Sequence, residues 1–203
     1  MQTLGLSNEE QRSDGWLKRI FWPIVKNAWD VNSLGRQGFW ICVAIAAFQF
    51  VFVLPSGNIV MILAGAVVGL AFLIGGMGVR EGSWPAAALV FSIYFLGLLY
   101  SMASGIFPGF LAIIAAALLL TNLRAAFLAS EWRPATEEED RPTRFNESFT
   151  DKLVDQLPAK LWPILQIPFF VLSALLVLAT LAGVLFALAL RLGISAPGGG
   201  LHP

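Results

Sequence analysis

Hydrophobic residues fall into five long runs along this chain, separated by three short turns and one long charged segment. Since a membrane-spanning helix needs about 20 mostly apolar residues, each run is a candidate span. The first run has 16 residues and would rise about 24 Å as a helix, slightly less than a hydrocarbon core of about 30 Å. The pattern predicts an all-α integral membrane protein, a bundle of about five transmembrane helices. The runs cover residues 39–54, 59–79, 84–104, 109–128 and 161–192.

Two further segments show a helical period with one polar face. Between residues 15 and 30, apolar positions recur about every four residues, with basic residues on the other face. In residues 145–157, Phe149 and Leu153 share one face, whereas Asp155 lies on the other. Amphipathic helices of this kind lie in the headgroup plane of a membrane. We therefore predict two amphipathic helices on the cytoplasmic face, one before the first span and one before the fifth.

Prolines bound the second of these segments. Pro158 is expected to end the amphipathic helix, and Pro163 to lie in the first turn of the fifth span, where a missing N–H costs nothing. Pro168 lies further in, so a bend or a late helix start is expected there. Trp22 and Trp162 each precede a proline. We interpret both as interfacial tryptophans at points where an in-plane segment turns.

Charged residues are unevenly placed between the runs. The segments after the first and third runs carry none, and every charged residue except Arg191 falls on one predicted side, together with all seven tryptophans. Because basic residues are enriched in short cytoplasmic loops, this predicts a cytoplasmic N-terminus and an external C-terminus. The compact loops and the content of Ala, Leu and Gly suggest a bacterial inner (plasma) membrane.

Composition agrees with this class. Hydrophobic residues make up 57% of the chain and charged residues 13%, against about 45–50% and about 25% in soluble domains. The formal net charge is zero, so the basic excess of a nucleic-acid-binding protein is missing. Five units are expected, namely an N-terminal amphipathic segment, a four-span unit of two hairpins, a charged cytoplasmic loop with an amphipathic helix, a fifth transmembrane helix and a flexible tail. They cover residues 1–37, 38–130, 131–160, 161–192 and 193–203.

The third run carries the most prominent polar stripe within the predicted membrane. Tyr94, Gly97, Ser101 and Ser104 lie three or four positions apart and share one helical face, with Tyr100 beside it. Such a stripe would line a polar cavity or hold a lipid headgroup. Hydroxyl groups within membranes also bond to neighbouring helices, for about 0.6 kcal/mol each. Both interpretations stay open, and the two tyrosines and two serines are the candidate cavity residues.

A second polar group lies near the cytoplasmic end of the fourth run. Thr121, Asn122 and Arg124 are close enough in sequence to share a site with the charged loop that follows. Arg124 lies near a helix end, where its aliphatic stem can extend to the headgroups. An end-of-helix anchor is the first interpretation, and a role in a transport pathway is the second.

Small residues are frequent in the second run. Gly65 and Gly69 are four positions apart, and so are Ala71 and Gly75, so each pair leaves one face of the helix narrow. Faces of this kind let helix backbones approach closely in a membrane. They predict packing within one bundle, with self-association through the second span as the alternative.

Residues typical of catalysis or ion coupling are rare in the predicted spans. No Asp, Glu, Lys or His lies in the middle of a run, which disfavours ion-coupled transport. The single histidine, His202, is isolated near the C-terminus, and no metal-binding, phosphate-loop or hydrolase motif occurs. We therefore expect no catalytic residues, no metal and no cofactor.

These patterns favour a polytopic membrane protein that is not an enzyme, a scaffold or accessory subunit acting at the cytoplasmic interface. The expected partners are the lipid bilayer and either a membrane protein or a second copy of the chain, and no nucleic acid. Two alternatives stay open. One is an oligomeric small transporter or channel component, and the other is a lipid-handling enzyme that would use an acidic residue such as Glu81 or Glu131.

Overall fold

Five long helices make up most of the structure. The computed structural model describes residues 28–131 and 152–193, together with Phe21, Pro23 and Val25. Within these residues there is no strand, and five helices are long and apolar enough to cross a membrane. A 3-10 turn at Leu54–Ser56 follows the first helix, and a π-helical turn at Lys152–Gln156 leads into the fifth. The helices are α1 Ala28–Val53, α2 Ile59–Arg80, α3 Trp84–Ala103, α4 Phe110–Glu131 and α5 Leu157–Arg191.

Local sequence explains where the middle helices begin. The Asn58 side chain accepts hydrogen bonds from the backbone N–H groups of Val60 and Met61, at 2.9 and 3.4 Å, and so satisfies two donors at the start of α2. Ser83 caps α3 in the same way. Gly105 has a φ of +85° in the turn between α3 and α4, a conformation that other residues rarely adopt.

The first helix is longer than its apolar run predicts. α1 has 26 residues and begins at Ala28, so it rises about 39 Å and is long enough to cross a hydrocarbon core. The sequence left open whether the short first run fully spans, and the structure gives it a helix of sufficient length. Asn32 and Arg36 precede the apolar run but belong to the helix, at the end that lies at the polar end of the bundle. The predicted in-plane helix of residues 15–30 lies largely outside the described residues.

The fifth helix also begins earlier than its prolines predict. α5 has 35 residues and includes Pro163 and Pro168. Pro158, which was expected to end the preceding helix, lies in the first turn of α5 instead, where a proline removes no helical hydrogen bond. A late helix start at Pro168 is likewise wrong, since neighbouring helices in a membrane bundle can compensate for the lost bond.

Four of the helices form a closed ring, and the fifth packs against two of them. Each of α1 to α4 packs against the next, and α4 closes the ring against α1, while α5 lies in the groove between α2 and α3. α5 runs parallel to α3, because Trp162 meets Ala86 at Gly78 near the start of both helices, and Gly183 lies against Tyr100 near the end of both.

Every long helix contributes to the core. Cys42 of α1, Phe72 of α2, Val90 of α3, Leu119 of α4 and Phe169 of α5 are all at most 3% exposed and belong to one apolar cluster. In lipid, such packing holds helices together through close contact rather than through the hydrophobic effect.

The bundle has two different ends. The polar end comprises the start of α1, the turn between α2 and α3, the end of α4 and the start of α5. The turn end comprises residues 54–58, residues 104–109 and the end of α5. Among the described residues, Arg191 is the only charged residue at the turn end, so the helices gather the other described charges at the polar end.

Candidate functional site

Arg80, the last residue of α2, is the centre of a buried polar cluster at the polar end. Its Nε donates to Oδ1 of Asp155 at 2.9 Å, and its Nη2 contacts the same oxygen. Its Nη1 donates to Oδ1 of Asn32 at 2.6 Å and to the Asn32 carbonyl at 3.3 Å. Arg80 is 4% exposed and Asp155 is 6% exposed. We call these three residues the Arg80 cluster.

Close helix packing brings Asn32 to Arg80. Gly35 lies against the end of α2, where an added methyl group would be 3.3 Å from the Val79 carbonyl oxygen. A glycine at this position therefore lets the backbones of α1 and α2 approach closely. Asn32 precedes Gly35 by about one helical turn, so its side chain and carbonyl lie beside the Arg80 guanidinium.

The π-helical turn before α5 brings Asp155 to the cluster. Val154 is fully buried and Asp155 is nearly so, although the sequence pattern places Asp155 on the polar face of an amphipathic helix. That expectation was wrong. The turn of residues 152–156 is wider than an α-helical turn, so the sequence positions that share a face differ from those of the 3.6-residue period on which the prediction depended.

The Arg80 cluster joins three segments that are distant in sequence. Arg80 and Asp155 are 75 positions apart, and Arg80 and Asn32 are 48 apart. Removing one member of a buried ion pair leaves an uncompensated charge, which typically costs about 3–5 kcal/mol. The guanidinium nitrogens of Arg80 are engaged with protein groups, so in this arrangement the cluster stabilises the polar end.

The predicted group of Thr121, Asn122 and Arg124 lies against the chain that enters α1. The Thr121 hydroxyl donates to the Phe21 carbonyl at 2.6 Å, and Nη1 of Arg124 donates to the Pro23 carbonyl at 2.9 Å. Pro23 is buried, and a buried backbone carbonyl needs a hydrogen-bond partner. These two residues of α4 therefore attach the entering segment to the bundle.

Asn122 has a different neighbour. Its Nδ2 donates to the Leu118 carbonyl at 3.0 Å, whereas its buried Oδ1 has no hydrogen-bond partner among the described residues. An added methyl group on Gly38 would lie 2.6 Å from that oxygen. The Asn122 amide therefore occupies the space that a side chain on α1 would take, and it separates α1 from α4 at this level.

The members of the polar stripe on α3 lie in different surroundings. Tyr94 is half-buried, and its ring packs edge-on against Phe72 with the centroids 6.1 Å apart. Tyr100 is 47% exposed and lies beside Gly183 of α5. Ser101 is half-buried, whereas Ser104 is exposed at the end of the helix. The two tyrosines therefore contact the neighbouring helices α2 and α5.

The small residues of α2 face other helices of the same chain. Gly65 lies against the Val53 side chain and Gly69 against the Phe50 ring, both from α1. Gly75 faces the opposite direction, toward Val90 and Phe169. The paired residue Ala71 is also buried, at 1% exposure. These positions give α2 close neighbours on both sides.

Trp162 is buried among the helices near the polar end. It is 8% exposed, and its ring packs within 6.0 Å, centroid to centroid, of Phe169 and Phe170. Its far edge lies against Gly78. The Trp162 ring is therefore a packing contact of the bundle, because the α5 helix turns it toward α2 and α3, and its position at a membrane interface stays a prediction. Trp22 lies outside the described residues.

Comparison with models of protein families, with curated proteins and with solved structures finds no match to this chain. Within residues 28–131 and 152–193, no group of three His, Cys, Asp or Glu residues is placed to hold a metal ion. Hypotheses about function therefore depend on the contacts of the polar residues themselves.

The sequence does not predict the Arg80 cluster. From the sequence, Arg80 is predicted to be a basic residue of a loop, consistent with the topology. Asp155 is predicted to be an exposed residue of an amphipathic helix. Nothing in the local pattern of either residue indicates the other. The signal that was present is the position of Arg80, directly at the end of a long apolar run without a spacer.

Proposed function

We propose that this chain is a non-enzymatic membrane scaffold or accessory subunit whose partners meet it at the polar end. The observation that carries the proposal is that polar side chains there bind other parts of the same chain. Arg80 binds Asp155 and Asn32, while Thr121 and Arg124 bind backbone carbonyls of the entering segment. Because these polar side chains bind protein groups, they hold the polar end in one arrangement, which supports a structural rather than a catalytic role.

The same bonds explain what the polar end would present. The chain before α1 and the chain between α4 and α5 are both polar, and each is attached to the bundle next to the point where it joins a helix. A partner would meet these two segments at a defined position. Among the described residues, the turn end consists of two short connections and the end of α5, which offer little surface for a receptor or binding role.

We propose that the polar end faces the cytoplasm of a bacterial cell and that the C-terminus lies outside. The distribution of charge supports this orientation, because basic residues are enriched on the cytoplasmic side of short loops. Arg191 is the one exception, and it lies at the last turn of α5, where a cation interacts favourably with the helix dipole.

Two positions at the polar end and one at the turn end allow a direct test in cells. Glu131 and Lys160 are exposed at the polar end, and Ser56 is exposed at the turn end. A photo-crosslinking amino acid is placed at each position in turn. We expect the same partner protein to be crosslinked from both polar-end positions and not from Ser56. The proposal fails when neither polar-end position gives a crosslinked partner.

The competing functions have readouts of their own. Solute flux through reconstituted proteoliposomes would indicate a transporter or channel component instead. Loss of lipid turnover in Glu81→Gln or Glu131→Gln, with the fold intact, would indicate an enzyme. The packing of Tyr94 against Phe72 and of Tyr100 beside Gly183 supports a structural role for the α3 stripe, so we expect neither result.

A further inference from the structure

The position of α5 along the bundle is less constrained than the positions of the other helices. Short turns join α1 to α2, α2 to α3 and α3 to α4, whereas residues 132–156 separate α4 from α5. A connection of that length allows the helix to lie at several heights. The position of α5 must therefore be fixed by its contacts with α2 and α3.

Apolar burial does not by itself define that position. Outside the groove, α5 carries a continuous exposed apolar surface, including Ile164, Ile167 and Val171. Lipid chains are about as apolar as these side chains, so the hydrophobic effect does not favour one height over another. Packing at Gly75 and Gly78 favours the observed height, but the polar contact has the stricter geometry.

We infer that Arg80 is a latch that sets the height of α5 and the position of the polar connection before it. The Arg80 guanidinium is held from one side by Asn32 of α1 and binds Asp155 through Nε and Nη2. The N–H donors of a guanidinium have a fixed, planar geometry, so they can bind a carboxylate only in a narrow range of positions. Displacing α5 by one helical turn, about 5.4 Å, would separate Asp155 from Arg80.

The latch has two parts with separate roles. Asn32 orients the guanidinium through its side chain and its carbonyl, and Asp155 attaches the π-helical turn to it. Because the turn of residues 152–156 continues directly into α5, fixing Asp155 fixes both the start of the helix and the end of the connection. The latch therefore joins α1, α2 and α5 at one point.

Hydrogen exchange of the full chain in nanodiscs, followed by mass spectrometry, tests the latch without any partner protein. Asp155→Asn keeps the shape of the side chain and removes its charge. We expect exchange of peptides covering residues 152–160 to accelerate on the order of a hundredfold, because losing a buried ion pair greatly lowers the free energy of local opening. Exchange in α1, α3 and α4 should change little. The exposed neighbour Ser33→Ala is the matched control and should leave all peptides unchanged.

A second variant keeps the test decisive if Asp155→Asn does not fold. Asn32→Ala preserves the ion pair and removes one charged hydrogen bond, so exchange in residues 152–160 should accelerate about tenfold. Unchanged exchange of these residues in both variants would overturn the inference. Equal acceleration in every helix would also overturn it, because Arg80 would then support the whole bundle rather than the position of α5.

Discussion

The Trp162 ring lies against Gly78, so closely that a methyl group on Gly78 would come within 2.5 Å of the ring carbon Cη2. The same methyl group would lie 2.6 Å from Cβ of Ala86. Helices α2, α3 and α5 therefore meet at a position that only glycine can occupy without a shift of its neighbours. This contact is the apolar counterpart of the Arg80 cluster, which lies next to it along α2.

Gly78→Ala should destabilise the bundle. The added methyl group has to displace either the Trp162 ring or the backbone of α3, and overpacking of this kind typically costs about 1–3 kcal/mol. We expect a lower midpoint of thermal unfolding in detergent, with loss of near-ultraviolet signal from the displaced tryptophan.

Gly97→Ala is the matched control for this prediction. Gly97 also lies within one of the five long apolar helices, but a methyl group there would have no atom within 4 Å. Alanine has the higher helix propensity by about 1 kcal/mol, so the variant should be as stable as the wild type or slightly more stable. Equal destabilisation by the two substitutions would contradict the close contact at Gly78.

Thr121→Val should release the segment that enters α1. Valine matches threonine in shape and cannot donate the hydrogen bond to the half-buried Phe21 carbonyl, a loss of about 0.5–1.5 kcal/mol. We expect faster tryptic cleavage after Lys26 and unchanged cleavage elsewhere. Ser130→Ala is the control, because the Ser130 hydroxyl donates to the nearby Phe127 carbonyl at 2.7 Å on an exposed surface. Slower or unchanged cleavage in Thr121→Val would contradict the proposed attachment.

Much of the architecture follows from the hydrophobic pattern. The sequence predicts an all-helical chain with five long apolar helices, and the structure confirms both statements. The turns also follow from local chemistry, since Asn58 and Gly105 have the residue types that helix starts and left-handed turns favour. These features depend on near neighbours in sequence, so a single sequence carries them.

The features that the sequence does not predict depend on distant neighbours. The start of α1 was placed too late because Asn32 resembles a loop residue until Arg80 provides a buried partner. Asp155 was assigned to the wrong face because the period changes from α to π within one turn. Thr121 and Arg124 were grouped by proximity, but the backbone carbonyls that they bind lie about 100 positions earlier. To predict these contacts correctly, one would need to know which helices are adjacent in the bundle.

Replacing the polar groups of the α3 stripe should leave cellular activity unchanged. Tyr94→Phe keeps the ring that packs against Phe72. Ser101→Ala removes one half-buried hydroxyl, which should lower the stability by about 0.6 kcal/mol. A scaffold tolerates both changes when expression and folding are normal. Loss of growth or of solute flux in these variants would support a polar pathway along α3 and contradict the structural role. The Tyr94→Phe/Ser101→Ala double variant should also keep its cellular activity.

The orientation in the membrane can be measured with single cysteines and a membrane-impermeant maleimide. Ser56 at the turn end and Glu131 at the polar end are both exposed. The native Cys42 is fully buried and the chain has no other cysteine, so the unmodified protein gives the background. We expect Ser56→Cys to label in intact cells and Glu131→Cys to label only after the membrane is opened, because the basic residues favour a cytoplasmic polar end. Labelling of both from the same side would contradict the five-span topology, and the reverse pattern would place the polar end outside.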